Sequence, residues 1–418
     1  LWSALPPDWS QNPAGGSAER LASLKHFGGA PRSPSAGPVL PAASQHPGAD
    51  GGRAPPLAPN RWPVHTPPVM RIDCDIHPGV SNTAALFPWL NDHWRELSVV
   101  RGIEDLASIN YPDRSPLTVR SDWRVDKGRP GPDAATIGRQ CLDPFGSDIG
   151  ILNCLFGVQT LFADDLAYAY VRAVNDWLRA EFLDRDPRFR ASIVISLENV
   201  EMAVDEIERC AADPRFVQIL VLAGTAHPLG KRLYWPIYKA AVKHNLPIGI
   251  HAGSELRNPP TALGWPSYYL EDYVANAQGF QYQLTSLFTE GVFNRFPALK
   301  VVLLESGWTW LPPLLWRMAK YWAGLRFEIP WADRSPAEVV RDQVRFSLTP
   351  VDAPPDVDQL RRLFDHLGSD QLLLFSTDWP HAQFAGTDVF PPGVDPALQE
   401  AICAANPLAT YPRLGGAR

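Results

Sequence analysis

The chain has few of the residues that staple or clamp a fold. Its five cysteines in 418 residues (Cys74, Cys141, Cys154, Cys210, Cys403) are odd in number, scattered, and form no CxxC pair. That spacing excludes a disulfide framework and a thiolate zinc module, and reads as reduced, mostly buried thiols of a cytoplasmic protein. No apolar run approaches the roughly 18 residues that a membrane span requires, so neither a membrane partner nor a signal peptide is expected. Basic residues are no more abundant: 38 Lys and Arg face 45 Asp and Glu, for a net charge of −7. Without a basic cluster there is no footprint for a nucleic-acid partner.

What is abundant lies at the two extremes of order. The first 69 residues hold 14 of the 43 prolines and 8 of the 30 glycines but only eight charged side chains. Without a periodic apolar pattern such a segment reads as disordered. The first methionine is Met70, directly before the first strand-like run. The expectation is that Met70 is the natural start and that 1–69 is a translated upstream stretch, with a genuine disordered extension as the alternative. The remainder is rich in core-forming residues: it holds 12 of the 15 Trp and 17 of the 18 Phe of a chain that is 45% hydrophobic overall.

From Met70 onward, apolar strand-like runs alternate with amphipathic helical stretches, which predicts βα units around a parallel sheet. Strands are predicted near 71–77, 148–155, 191–198, 216–222, 246–251, 299–305, 343–348 and 371–378. Helices are predicted near 164–183, 199–212, 232–244, 274–290, 311–322, 356–366 and 396–404. In the 199–212 segment, Val200, Ala203, Val204, Ile207 and Cys210 recur at helical spacing, with Glu201, Asp205, Glu206 and Glu208 outside. Eight such units specify an α/β fold, a single (β/α)8 TIM-type barrel, whose site lies at the C-terminal strand ends. The 70–418 barrel carries an inserted excursion at 78–147, with a short helix from Leu86 to Leu97 expected over the barrel mouth.

Chemistry concentrates at those strand ends. Ile72-Asp73-Cys74-Asp75-Ile76-His77 alternates apolar and polar residues. Residues two apart share a strand face, so Asp73, Asp75 and His77 are expected to project together and Cys74 to pack against the helices. Ile248-Gly249-Ile250-His251 delivers a histidine, Val302-Leu303-Leu304-Glu305 a glutamate, and Phe375-Ser376-Thr377-Asp378 an aspartate, with His381 three residues on. Four apolar strands that finish on metal-compatible groups point to a shared divalent-cation site. The competing account is a set of unrelated buried polar groups satisfied by hydrogen bonds.

At these residues the chain resembles the amidohydrolase superfamily, and within it the branch of metal-dependent hydroxybenzoate and carboxymuconate-semialdehyde decarboxylases. The resemblance runs from about Met70 to Tyr411. Asp378 in Ser376-Thr377-Asp378-Trp379-Pro380-His381 matches the strand-eight aspartate, and His251 matches the strand-five histidine. Two family histidines are carboxylates here: Asp75 on strand one, and Glu305 in Glu305-Ser306-Gly307 on strand six. The resemblance implies metal ligation by Asp75, His77, His251 and Asp378, with Zn or Mn as the single ion. It also implies that Arg317 corresponds to an arginine that reaches a substrate carboxylate, in some members across a homodimer interface. The plainer alternative for Arg317 is a surface ion pair.

Asp378, Glu305 and His381 are the candidate acid–base groups; for Glu305 the acid–base role is the favoured reading, with a metal-ligand or a structural role as the alternatives. Asp73 is expected to support the site without reaching the metal. His227 after strand four and the aromatic run beginning at Trp265 are candidate substrate contacts. The leading reading is a metal-dependent decarboxylase of an aromatic or unsaturated carboxylic acid. A hydrolase of an amide, lactone or ester on the same barrel, and an inactive ligand-binding barrel, are the alternatives.

Overall fold

A computed structural model describes residues 70–111, 119–124, 133–259, 261 and 263–416; the segment 1–69 and the expectations attached to it lie outside them. Eight parallel strands follow one another in chain order: β1 (Ile72–Ile76), β2 (Ile149–Leu152), β3 (Phe189–Val194), β4 (Phe216–Gly224), β5 (Ile248–Ser254), β6 (Val301–Leu304), β7 (Val344–Ser347) and β8 (Leu373–Leu374). The circle is joined by backbone bonds from Cys74 N to Phe375 O (2.9 Å) and from His77 N to Trp379 O (2.8 Å). This is the (β/α)8 barrel. Its strands are buried on both faces, so they read as near-continuous apolar runs.

Each predicted strand is present, and the shifts at their ends have local causes. β5 starts at Ile248, after Pro247, which has no N–H to give to the ladder. β6 stops at Leu304 because Glu305 takes a positive φ of 53°, which turns the chain out of the sheet. The helix predicted at 274–290 begins earlier, as Tyr269–Thr289: Glu271 Oε2 accepts from the backbone N of Ser267 (2.6 Å) and Tyr268 (3.0 Å), satisfying two donors at the helix start. A further helix, Pro336–Gln343, is capped by Ser335 and Glu338.

The alternation expected along β1 does not hold. The β1–β2 register shifts between Asp73 and Ile76, and a bulge re-aims the side chains around it. Asp73 accepts from Thr377 N (3.1 Å), Thr377 Oγ1 (2.7 Å) and Cys141 Sγ (3.5 Å), the last from the helical layer between β1 and β2. It thereby ties β8 to β1. Cys74 does not pack against the helices; it meets the hydroxyl of Tyr411, which donates to Gln218 Oε1 of β4 at 3.0 Å. The barrel interior therefore carries a polar chain. Gln218 Nε2 donates to Ser192 Oγ (2.9 Å) and Asn153 Oδ1 (3.2 Å), and Ser192 Oγ donates to Asn153 Oδ1 (2.6 Å). Gly249 makes room for it, since a Cβ there would lie 2.5 Å from the Gln218 amide.

The excursion after β1 also departs from expectation. Its helix, Asp92–Val100, is fastened to helix Asp164–Leu178 by the Ser98–Tyr170 hydroxyl pair (2.7 Å), so it joins the outer layer instead of capping the mouth. The segments that reach the strand ends are others. Ile109 O accepts from Ser254 N (2.7 Å), and Arg120 N donates to Pro380 O (2.9 Å).

Tyr411→Phe keeps the ring that fills the barrel floor but leaves Gln218 Oε1 without its donor. It is expected to lower unfolding free energy by about 1–3 kcal/mol in chemical denaturation; an unchanged midpoint would contradict the structural role of the hydroxyl.

Candidate metal centre

Three strand ends, those of β1, β5 and β8, bring Asp75, His77, His251 and Asp378 together, all 0–6% exposed. Two overlapping sets, Asp75–His77–His251 and His77–Asp378–His381, each keep one ligand-type atom per residue within 4.8 Å of the others. The His77 and His251 rings meet edge to face at 4.9 Å between centroids, and His381 stacks on His77 at 5.1 Å.

The histidine tautomers follow from backbone contacts. His77 Nδ1 lies 2.9 Å from Asn153 O, and His251 Nδ1 lies 2.7 Å from Ala252 O. A carbonyl can only accept, so both Nδ1 atoms carry the proton and both Nε2 atoms face the cluster. His77 Nε2 sits 2.9 Å from Asp378 Oδ1 and 3.3 Å from Asp75 Oδ1. A lone pair aimed at two carboxylates is repulsive, so a proton or a metal ion must lie between them. His251 Nε2 and Asp75 Oδ2, 3.8 Å apart, are buried and have no hydrogen-bond partner. Two orphaned ligand atoms in a buried site are costly, and a divalent cation satisfies both. The donor set of two carboxylates and two imidazoles suits Zn or Mn, so the residues fit the ion.

Without a cation the charges fall to protons. Burial opposes an imidazolium at His77, but Asp75 and Asp378 beside it win and hold its pKa at about 10. Burial, and then His77, push His251 down to about 3. Burial raises Asp75 above the usual carboxylate range, and burial with the neighbouring Asp378 charge raises Glu305. Burial would raise Asp378 too, but His381 and His77 keep it below the usual range. Asp73, pushed up to about 6 by burial, stays outside the cluster, fully engaged with Thr377 and Cys141.

The other expected residues divide. His381 joins the cluster: its Nδ1 is 2.8 Å from Asp378 Oδ1, and it is 22% exposed. Glu305 joins through Oε2, 3.5 Å from His251 Nε2. Trp265 stays at the rim, 44% exposed, with its ring 4.6 Å from that of Tyr111. His227 is exposed on the loop after β4 and touches none of the cluster. Arg317 is also outside: it lies exposed on helix Leu311–Leu325, lining a groove of about 340 Å³ against helix Tyr269–Thr289. Its guanidinium lies 5.4 Å from the ring centroid of Tyr321 on the same helix.

Three contributors escaped the sequence reading. Asn153, at the end of β2, donates to Asp75 Oδ1 (2.8 Å); the strand-end logic applied to other strands would have found it. Tyr273 donates to Glu305 Oε1 (2.8 Å), and Gln383 Nε2 donates to Tyr273 Oη (2.6 Å) and Asp378 Oδ2 (2.7 Å). Tyr269 and Tyr273 are one helical turn apart, a pairing hidden once the helix start was set too late.

A family profile described as Amidohydrolase matches residues 72–413. Gamma-resorcylate decarboxylase of Polaromonas sp. strain JS666 is 27% identical over 235 residues, 53% of this chain and 69% of that protein. Among solved structures, 2,6-dihydroxybenzoate decarboxylase from Rhizobium superposes with a TM-score of 0.58 at 21% identity, covering 82% of this chain and 98% of the other. A dihydroxybenzoic acid decarboxylase from Polaromonas sp. JS666, solved with manganese and the inhibitor 2-nitroresorcinol, gives 0.57 at 20% identity over 82% and 97%.

At pH 7 metal uptake must displace the His77 proton, so about one proton or more is expected to be released per ion. Calorimetry in buffers of different ionisation enthalpy reads that number. Apparent affinity should rise with pH, because the metal-free His77 remains protonated up to about 10. Uptake without proton release would contradict the assignment of His77 as a ligand.

Proposed function

The chain belongs to the amidohydrolase family, and from that membership we propose that it is a metal-dependent carboxy-lyase acting on an aromatic or unsaturated carboxylic acid. The observation that carries the reading is the buried cluster with its two orphaned ligand atoms. It is supported by relatives named as decarboxylases of dihydroxybenzoates, one of them solved with manganese. One divalent ion, Mn or Zn, would be held by Asp75, His77, His251 and Asp378. When bound, such an ion orients a substrate oxygen and offsets its negative charge.

The remaining work falls to the chain. Loss of carbon dioxide breaks a carbon–carbon bond, leaves its electron pair on the ring carbon, and requires a proton there. We assign that proton to His381. Burial works against its imidazolium, but Asp378 raises its pKa, and the ring keeps partial exposure toward the mouth. Asp378 has two duties in this scheme: ligand through the cluster, and orienting partner of His381. Trp265 and Tyr111 form an aromatic rim suited to a planar acid. No role follows for His227.

Arg317 could serve a site only from a neighbouring copy, and we propose a homodimer. Tyr321 (48%) and Leu325 (46%) are exposed in the groove that Arg317 lines, and Tyr282 (63%) and Phe327 (72%) are exposed on or directly after the same two helices. An apolar surface of this kind marks an association face. Among the described residues no helix is long and apolar enough to cross a membrane. A cytoplasmic location is the reading we favour, supported by five buried, unpaired thiols.

Mn-loaded protein incubated with 2,6-dihydroxybenzoate and related hydroxybenzoates is expected to release carbon dioxide. His381→Gln should lower kcat by about 10²-fold or more with metal content unchanged. Hydrolysis of lactones or amides by the loaded protein, with no carbon dioxide from any aromatic acid, would overturn the lyase reading. Light scattering should return twice the chain mass, with Tyr282→Glu shifting it to the monomer. A wild-type monomer at micromolar concentration would remove Arg317 from the site.

A further inference from the structure

Glu305 sits among the cluster, and the geometry around its two carboxyl oxygens points to a ligand. Asp378 Oδ2 is a carboxylate oxygen, so the Gln383 atom 2.7 Å from it must be the amide nitrogen, a donor only. That same nitrogen lies 2.6 Å from Tyr273 Oη and gives it the second amide hydrogen. The phenol therefore accepts from Gln383 and spends its own proton on Glu305 Oε1 at 2.8 Å. Directionality is fixed along the whole relay: Gln383 to Tyr273 to Glu305. Glu305 Oε1 is an acceptor in this arrangement. Glu305 Oε2 points to His251 Nε2 at 3.5 Å, and that nitrogen is a buried lone pair with no partner, because the His251 proton is on Nδ1 against Ala252 O.

We propose that Glu305 is a further ligand of the metal through Oε2, and that Tyr273 and Gln383 are positioning residues that hold it as a carboxylate and tie it to Asp378. The inference rests on the metal-centre reading above and replaces the general-acid role expected for Glu305. The backbone supports the aim of the side chain. Glu305 and Asp378 both adopt left-handed φ values, 53° and 54°, uncommon for residues other than glycine and concentrated at functional sites. Glu305 N is held by Ser347 Oγ at 2.8 Å. The side chain is thus fixed at both ends, by a β7 hydroxyl at its backbone and by a phenol at its tip.

The test measures Mn²⁺ affinity by electron paramagnetic resonance, without substrate, for the wild type, Glu305→Gln and Tyr273→Phe, with thermal melts as the control on folding. Loss of the ligand charge in Glu305→Gln should weaken Mn²⁺ binding about tenfold or more and change the line shape of bound Mn²⁺. Tyr273→Phe should weaken it about tenfold, the scale for removing a group that orients a ligand. Wild-type affinity and line shape in Glu305→Gln would overturn the ligand assignment, and unchanged affinity in Tyr273→Phe would overturn the positioning role. A wild type that takes up no Mn²⁺ or Zn²⁺ would instead defeat the metal-centre reading itself, so the two failures are distinguishable.

Discussion

Negative charge buried without enough positive charge is the constraint on which this site depends. Asp75, Asp378 and Glu305 stand together at the strand ends with 0–8% exposure. Isolated buried carboxylates cost several kcal/mol each, and no lysine or arginine of the described residues is paired with them. Imidazolium at His77 and His381 offsets part of the charge. The two Nδ1 bonds to backbone carbonyls leave the other imidazole nitrogens facing inward, and one of these, with one oxygen of Asp75, has no partner at all. A divalent ion resolves each of these costs at once.

The barrel supplies the convergence, and the irregularities in it supply the aim. A bulge in β1 separates Asp73 from Asp75, so that one carboxylate locks β8 to β1 and the other faces the cluster. Positive φ at Glu305 and Asp378 turns two side chains at the points where regular strand would carry them past the site. Behind the cluster, Asn153 connects Asp75 to Ser192, Gln218 and Tyr411, so this carboxylate is braced down through the barrel interior. Such bracing is what holds a ligand oxygen still in a metal site.

Much of this was legible in the sequence, and the reason is periodicity. Eight apolar runs, each with an amphipathic follower, specify a parallel barrel almost without regard to detail. Residues at strand ends then share a location by geometry, so Asp75, His77, His251, Glu305 and Asp378 could be grouped while still far apart in the chain. What stayed hidden depends on side-chain direction or on exact helix starts. The alternation rule placed Cys74 among the helices because a single bulge leaves no mark in composition. Tyr273 and Gln383 were missed because neither ends a strand; one rides a helix that begins earlier than its apolar pattern, and the other follows the β8 turn. Arg317 was implied by the family resemblance and His227 by its place after strand four, and both side chains are exposed, apart from the cluster within one chain.

The most direct test of the central claim is anomalous diffraction at the manganese edge from crystals grown with Mn²⁺. A single strong peak enclosed by Asp75, His77, His251 and Asp378 is the result this account predicts. A fully ordered cluster with no peak there would contradict it.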